Sequence, residues 1–153
     1  MANYLFSIDF VKGDLDKFKA RCQASARNLF EGTRKATEYS CKSMLEESLE
    51  QVPKVTNTLA ASAFYEVHRR SDTAASAWQY EGTVGYGGNG DPINPKTGEP
   101  SSRYAVVVHE DLEAVHPNGK AKFLEDPVRE FMTSNFTRAV ERHASESLKD
   151  FIG

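Results

Sequence analysis

Cysteine is scarce in this 153-residue chain, and the two that occur cannot pair. Cys22 and Cys41 lie nineteen positions apart within one helical pattern, so helix rise alone holds them about 28 Å apart, far beyond disulfide reach. They read as small, buried or half-buried residues. Long apolar runs are also missing: nothing approaches the roughly 20 residues a membrane-spanning helix needs. The opening MANYLFSIDF has no charged start, long apolar middle or small-residue cleavage site, which points to a chain kept or assembled in the cytoplasm. Basic excess is absent too. Lys and Arg number 19 against 22 Asp and Glu, for a formal net charge of −3, with the signs interspersed rather than gathered into a nucleic-acid footprint.

The familiar catalytic patterns are missing as well. No serine sits in a nucleophile elbow. Gly85-Tyr86-Gly87-Gly88-Asn89-Gly90 has the glycines of a phosphate loop without the following helix or Lys-Ser/Thr. The acidic pairs Glu46-Glu47 and Asp111/Glu113 belong to solvated surfaces. The only cluster resembling a metal site is His109-Glu110 with His116, since imidazole and carboxylate suit zinc. The spacing is poor, because a zincin pair needs two histidines on adjacent turns of one helix, and these lie seven apart before Pro117-Asn118-Gly119. A small metal-dependent hydrolase using His109, Glu110 and His116 is the enzymatic alternative. A monomeric protein-binding module using the Gly-rich loop is another.

What the chain does contain is enough for one domain: 39% apolar and 27% charged residues suit a globular protein with a modest core. Tyr4 to Phe10 alternates as a short edge strand. Asp14 can cap a helix whose apolar or small positions Leu15, Phe18, Cys22, Ser25, Leu29, Gly32, Ala36 and Tyr39 recur at spacings of three and four. It runs to about Val52, where Pro53 stops it, and Gly32 predicts a kink or break. Thirty-odd helical residues span about 50 Å, against about 30–40 Å for a compact domain of this length. Part of one face therefore looks outward unless Gly32 folds the helix back, and the small-residue seam Gly32, Ala36 and Ser40 is either an assembly surface or ordinary packing under the sheet.

Beyond the Pro53–Asn57 turn, Leu59 to His68 and Ala74 to Tyr86 alternate in polarity and predict a hairpin, with Trp78, Tyr80, Val84 and Tyr86 on one face. Gly85 to Ser102 is rich in Gly and Pro and predicts a mobile loop that orders on assembly, with Tyr86, Asn89, Ile93 and Lys96 as candidate contacts. Tyr104 to Val108 is a β-branched run that predicts a strand ending at His109-Glu110, the last two candidate contacts. Ala121 to Leu124 adds a few paired residues. Asp126-Pro127 reads as N-cap and first helical position, opening a helix whose face is Val128, Phe131, Met132, Phe136, Ala139, Val140, His143, Ala144, Leu148, Phe151 and Ile152. The predicted fold is α+β: one antiparallel sheet of about four strands, a long N-terminal helix and a C-terminal helix. Trp78, Tyr80, Val108, Phe131 and Phe136 are expected to share one core.

Four features, taken in order, resemble the head-to-tail joining proteins of long-tailed bacteriophages, variously called tail-completion, neck or minor capsid proteins. A long helix ends at Val52-Pro53. Val55 to Ser62 resembles the family's Pro, Thr-Gly, Leu, Ser pattern, with Asn57 where glycine is usual; Asn is the next residue most tolerant of positive φ. Tyr104-Ala105 through His109-Glu110 resembles the family's Tyr-Ala strand ending in an acidic residue, with Asp111-Leu112 in place of the usual Gly-Thr. Lys122 to Pro127 resembles the aromatic-Leu approach to the last helix. The likeness spans about residues 9 to 150. It implies a non-enzymatic virion subunit without cofactor or metal, part of a hexameric or dodecameric ring between portal or adaptor and tail proteins, with DNA passing through the lumen. A tail terminator at the head-proximal end of the tail is the alternative neck position.

Overall fold

The computed structural model describes residues 12–70, 79–88, 90–116 and 118–152, with the backbone alone considered for Lys12 and from Asp150 onward. Among them are five helices and two strands: α1 (Lys12–Gln51), α2 (Thr58–Ala61), β1 (Ala63–Arg69), β2 (Tyr80–Tyr86), α3 (Ser101–Glu110), α4 (Glu125–Ser134) and α5 (Phe136–Ile152). The expected strand at Tyr4 to Phe10, the Ala74–Trp78 part of the second strand, and Trp78 as a core residue lie outside the described residues.

The long helix is continuous. Forty residues span about 60 Å, and Gly32 does not break it. Glycine is needed there for close approach: a Cβ at Gly32 would lie 2.8 Å from Ser147 Oγ and 2.9 Å from the His143 carbonyl oxygen. α5 thus packs antiparallel against the C-terminal part of α1, with no room for a side chain at the crossing. Ala36 and Ser40 continue the contact face, each only 2–3% exposed.

The hairpin pairs antiparallel from Ala63↔Tyr86 to Arg69↔Tyr80, and its even-numbered β2 residues face α1, as alternation predicts. Tyr80 stacks on Phe30 with ring centroids 4.6 Å apart, Val84 packs beside Met44 and Phe131, and Tyr86 shares a 2.7 Å hydrogen bond with Ser48. The sheet ends there. It has two strands rather than about four.

The missing strand is a helix. Tyr104 to Val108 belongs to α3, whose inward positions Ser101, Ala105 and His109 are spaced four apart while Val106 and Val107 face out. A five-residue apolar run cannot by itself distinguish period 2 from period 3.6. Capping decides it: Asp91 Oδ1 accepts the Ser102 backbone N–H at 3.0 Å and the Ser101 hydroxyl, satisfying donors that the first helical turn leaves open. Asp91 also anchors the Gly/Pro-rich segment, which is a built turn: Gly98 N–H donates to Asn94 O (2.8 Å), Asn94 N–H to Glu99 O (2.8 Å), and Ile93 bridges to Pro100.

Ala121 to Leu124 forms turns rather than strand. The last helix begins at Glu125, two residues before Pro127, so Asp126 is not its N-cap; Pro127 still falls in the first turn, where its missing N–H is harmless. At Asn135 the helix breaks into α4 and α5.

Two apolar clusters result. Val52, Leu59, Ala105 and Phe123 form one, flanked by Tyr86, Tyr104, Val108 and Leu124. Met44, Phe131 and Ala139 form the other, flanked by Val84 and Val128. Val108 and Phe131, expected to share a core, are in different clusters, and Phe136, 38% exposed, belongs to neither.

Candidate interaction surface

Phe123, 1% exposed, is the pivot of the first cluster. Tyr86 and His109 approach it edge-on at centroid distances of 5.1 and 4.9 Å, nearly perpendicular. Around it lies a cleft of about 290 Å³ lined by Gly85, Tyr86, Ala105, Val106, His109, Glu110, Phe123 and Leu124. Its floor is aromatic and aliphatic; its rim is polar.

The rim is a chain of charge-assisted contacts. The Glu125 backbone N–H donates to His109 Nε2 at 3.2 Å, so that nitrogen must accept, and Nδ1 is left to donate to Glu110 Oε1 at 2.7 Å. His109 thereby satisfies the first N–H of α4, where Leu124 in the cap position offers no side-chain acceptor. Lys122 joins α3 to α4, donating to Glu110 and lying 2.8 Å from Glu125. Its backbone is left-handed at φ 56°, and its N–H donates to the His109 carbonyl at 2.8 Å.

These contacts move the acids down. The Lys122 ammonium, then His109, holds Glu110 below its ordinary range. Lys122 does the same for Glu125, and Lys120, 2.8 Å away, for Asp126. Lys122 is itself raised by hydrogen bonds to Glu110 and then Glu125. Burial pushes the Tyr86 phenol up.

The sequence-predicted contacts scatter. Tyr86, His109 and Glu110 come together at this cleft. Ile93 and Lys96 are exposed on the turn after Asp91, and Asn89 lies outside the described residues. Gly32, Ala36 and Ser40 are covered by the chain's own elements, so the seam is internal packing rather than open surface. His116 does not join His109: its Nε2 lies 3.1 Å from the Asp111 carbonyl oxygen. No group of three His, Cys, Asp or Glu among the described residues is arranged to hold a metal. No helix among them is long and apolar enough to cross a membrane.

Against known proteins the chain stands apart. It matches no family model, no curated protein and no solved structure.

Exposed apolar side chains also stand at the other end of α1. From Gly13 to Ala24 every residue is exposed, and Leu15, Phe18 and Leu29 remain large exposed apolar side chains, Phe18 at 64%. Further along the helix, Asn28, Glu31 and Lys35 of α1 come beside Glu146 and Ser147 of α5. The length mismatch predicted an outward face; the exposed apolar side chains stand on the first turns rather than on the small-residue seam.

Proposed function

We propose that this chain is a structural subunit of a bacteriophage head–tail connector, joining the portal-capped head to the tail within a ring through which DNA passes. One observation carries the reading. The four short motifs that resemble the joining family each place a residue in a single buried cluster: Val52 from the end of the long helix, Leu59 from the segment after Pro53, Ala105 from the Tyr-Ala segment, and Phe123 before the last helices.

Three further features fit. Asn57, standing where the family pattern has glycine, takes the left-handed conformation at φ 56° that such a position calls for. The bare start of α1 and the cleft beside Phe123 are different surfaces, as a ring interface between successive copies requires. A chain of net charge −3 also suits a conduit that DNA must traverse without adhering.

The test is location. Gold-labelled antibody against the chain, applied to particles of the phage that encodes it, should mark the head–tail junction. Labelling along the tail shaft, over the head surface, or in no finished particle contradicts the proposal.

A further inference from the structure

A sheet of two strands has two outer edges, and β1 forms one of them. Its ladder fixes which backbone groups point out. The Gly87 N–H donates to Ser62 O at 3.1 Å and the Arg70 N–H donates to Gln79 O at 3.0 Å, so in the alternating ladder between them Phe64, Glu66 and His68 are bonded inward to β2. The N–H and C=O groups of Tyr65 and Val67 therefore point away from β2, and none of them has a hydrogen-bond partner among the described residues. Three common protections of such an edge are missing, since from Ala63 to Arg69 there is no proline, no lysine and no bulge. The outer edge of β2 differs: it runs beside α3 at Tyr86 and beside α5 at Tyr80.

The chain carries a sequence suited to the β1 edge. Tyr4 to Phe10, outside the described residues, alternates with Tyr4, Phe6 and Ile8 on one parity, the pattern of a short strand, and it precedes α1, which starts at Lys12. Distance decides whose edge it can reach. Gly82, the partner of Val67, lies over Thr37, where an added Cβ would come within 2.9 Å of Thr37 Cγ2. Helix rise over the residues from Lys12 to Thr37 puts the level of Val67 about 38 Å from the start of α1. The stretch from Tyr4 to Lys12 reaches at most about 29 Å when fully extended. It cannot lie along Tyr65 and Val67 of its own chain.

We propose that Tyr4–Phe10 of one copy adds as a third strand to the β1 edge of a second copy, its backbone bonded to the outward N–H and C=O groups of Tyr65 and Val67. Directly opposed residues share a face of the sheet. The apolar parity Tyr4, Phe6 and Ile8 then lies beside Tyr65 and Val67 on the α1 side, and Ser7 and Asp9 lie on the solvent side with Glu66 and His68. The contact is heterologous, so each copy gives a strand and accepts one, and the series closes into a ring or continues as a filament. The inference rests on the connector reading for ring closure alone.

Amide hydrogen exchange on the full chain tests this, with light scattering to follow assembly as concentration rises. Tyr65 and Val67 should exchange freely in the monomer and slow by about tenfold or more in the assembled chain, while Glu66 and His68, bonded to β2, stay slow in both. A Phe6→Pro/Ser7→Pro double substitution removes a strand N–H of each parity and should abolish both assembly and the slowing. Val67→Pro should do the same from the accepting side with an unchanged melting temperature, because that N–H takes no part in the hairpin ladder. Should it misfold, exchange in the unsubstituted chain and the double variant decides the matter. Slow exchange of Tyr65 and Val67 already in the monomer, or a chain monomeric at every concentration, overturns the proposal. Slowing that survives the double substitution assigns the edge to β1 of a second copy and overturns it too. The two readings fail separately: a ring mass with Tyr65 and Val67 still exchanging freely rejects strand donation and leaves the connector standing, whereas open filaments with both amides slowed support donation and reject the ring.

Discussion

Asp91 caps a helix that begins ten residues after it, accepting the Ser102 backbone N–H at 3.0 Å. That one carboxylate ties the Gly/Pro-rich segment to α3, and the hydroxyls and N–H groups of Ser101 and Ser102 hold it below its ordinary range. Asp91→Ala should therefore loosen two things at once. Amides of α3 and of the Asn94–Gly98 turn should exchange hydrogen faster, while α1 amides near Val52 keep their protection. Unchanged exchange in α3 would mean that burial of Ala105, and not the cap, holds the helix.

Acid should weaken the fold through a definable set of groups. Glu110, Glu125, Asp126 and Asp91 all sit below ordinary values of 4.5 for Glu and 3.8 for Asp, because Lys122, Lys120 and the α3 serines favour their charged forms. The unfolded chain thus binds more protons than the folded one in that range, and stability rises with pH there. The contribution is complete above about pH 5 and is lost as pH falls through the lowered folded values. Lys122, raised above 10.5, contributes below that pH and stops contributing as pH climbs through its folded value. Urea unfolding from pH 6 to 3 should show a falling midpoint, less steep in Glu110→Gln. High salt should shrink the effect, because these groups are solvent-facing. A midpoint independent of pH would show that the rim contributes nothing to folding.

Close packing at the end of α1 gives a sharper test. A Cβ at Gly119 would sit 2.6 Å from both Cα and N of Pro53 and 2.9 Å from the Gln51 carbonyl oxygen, while the next N–H, of Lys120, donates to that carbonyl at 3.0 Å. Backbone cannot step aside as a flexible side chain can, so Gly119→Ala should cost about 1–3 kcal/mol. Phe123→Ala, which empties the pivot of the same cluster, should cost about 3–5 kcal/mol. Losses below about 1 kcal/mol for Phe123→Ala would contradict the placement of the core.

Charge placed on the two parts of the α1 stripe should act oppositely. Ala36→Glu puts a carboxylate into the contact with α5 and β2, where Ala36 is 2% exposed, and should lower the melting temperature steeply. Phe18→Asp falls on an exposed position of α1 and should leave melting unchanged. Equal melting temperatures for both variants would show that the seam is open after all.

How legible these features were depended on the length of the pattern. Thirty-odd residues of helical spacing identified α1, and the alternation of Tyr80, Val84 and Tyr86 placed the hairpin face. The Tyr104–Val108 run was too short to set its own period, and the Asp91 cap that makes it helical acts across a loop that local reading treated as unanchored. Gly32 was read by propensity as a weak point, whereas tertiary packing uses its missing side chain. The cleft was half visible, in Tyr86, His109 and Glu110. Its partners Phe123 and Lys122 read only as a lead-in to the last helix, since nothing local shows that they meet α3.

The most direct measurement is complementation. Heads and tails that accumulate separately when this reading frame is disrupted in its phage should be mixed with the purified chain, and infectious titre counted. The connector reading predicts that wild-type protein restores joining. Full titre from the disrupted phage without added protein, or no gain when the folded wild-type chain is supplied, would contradict it.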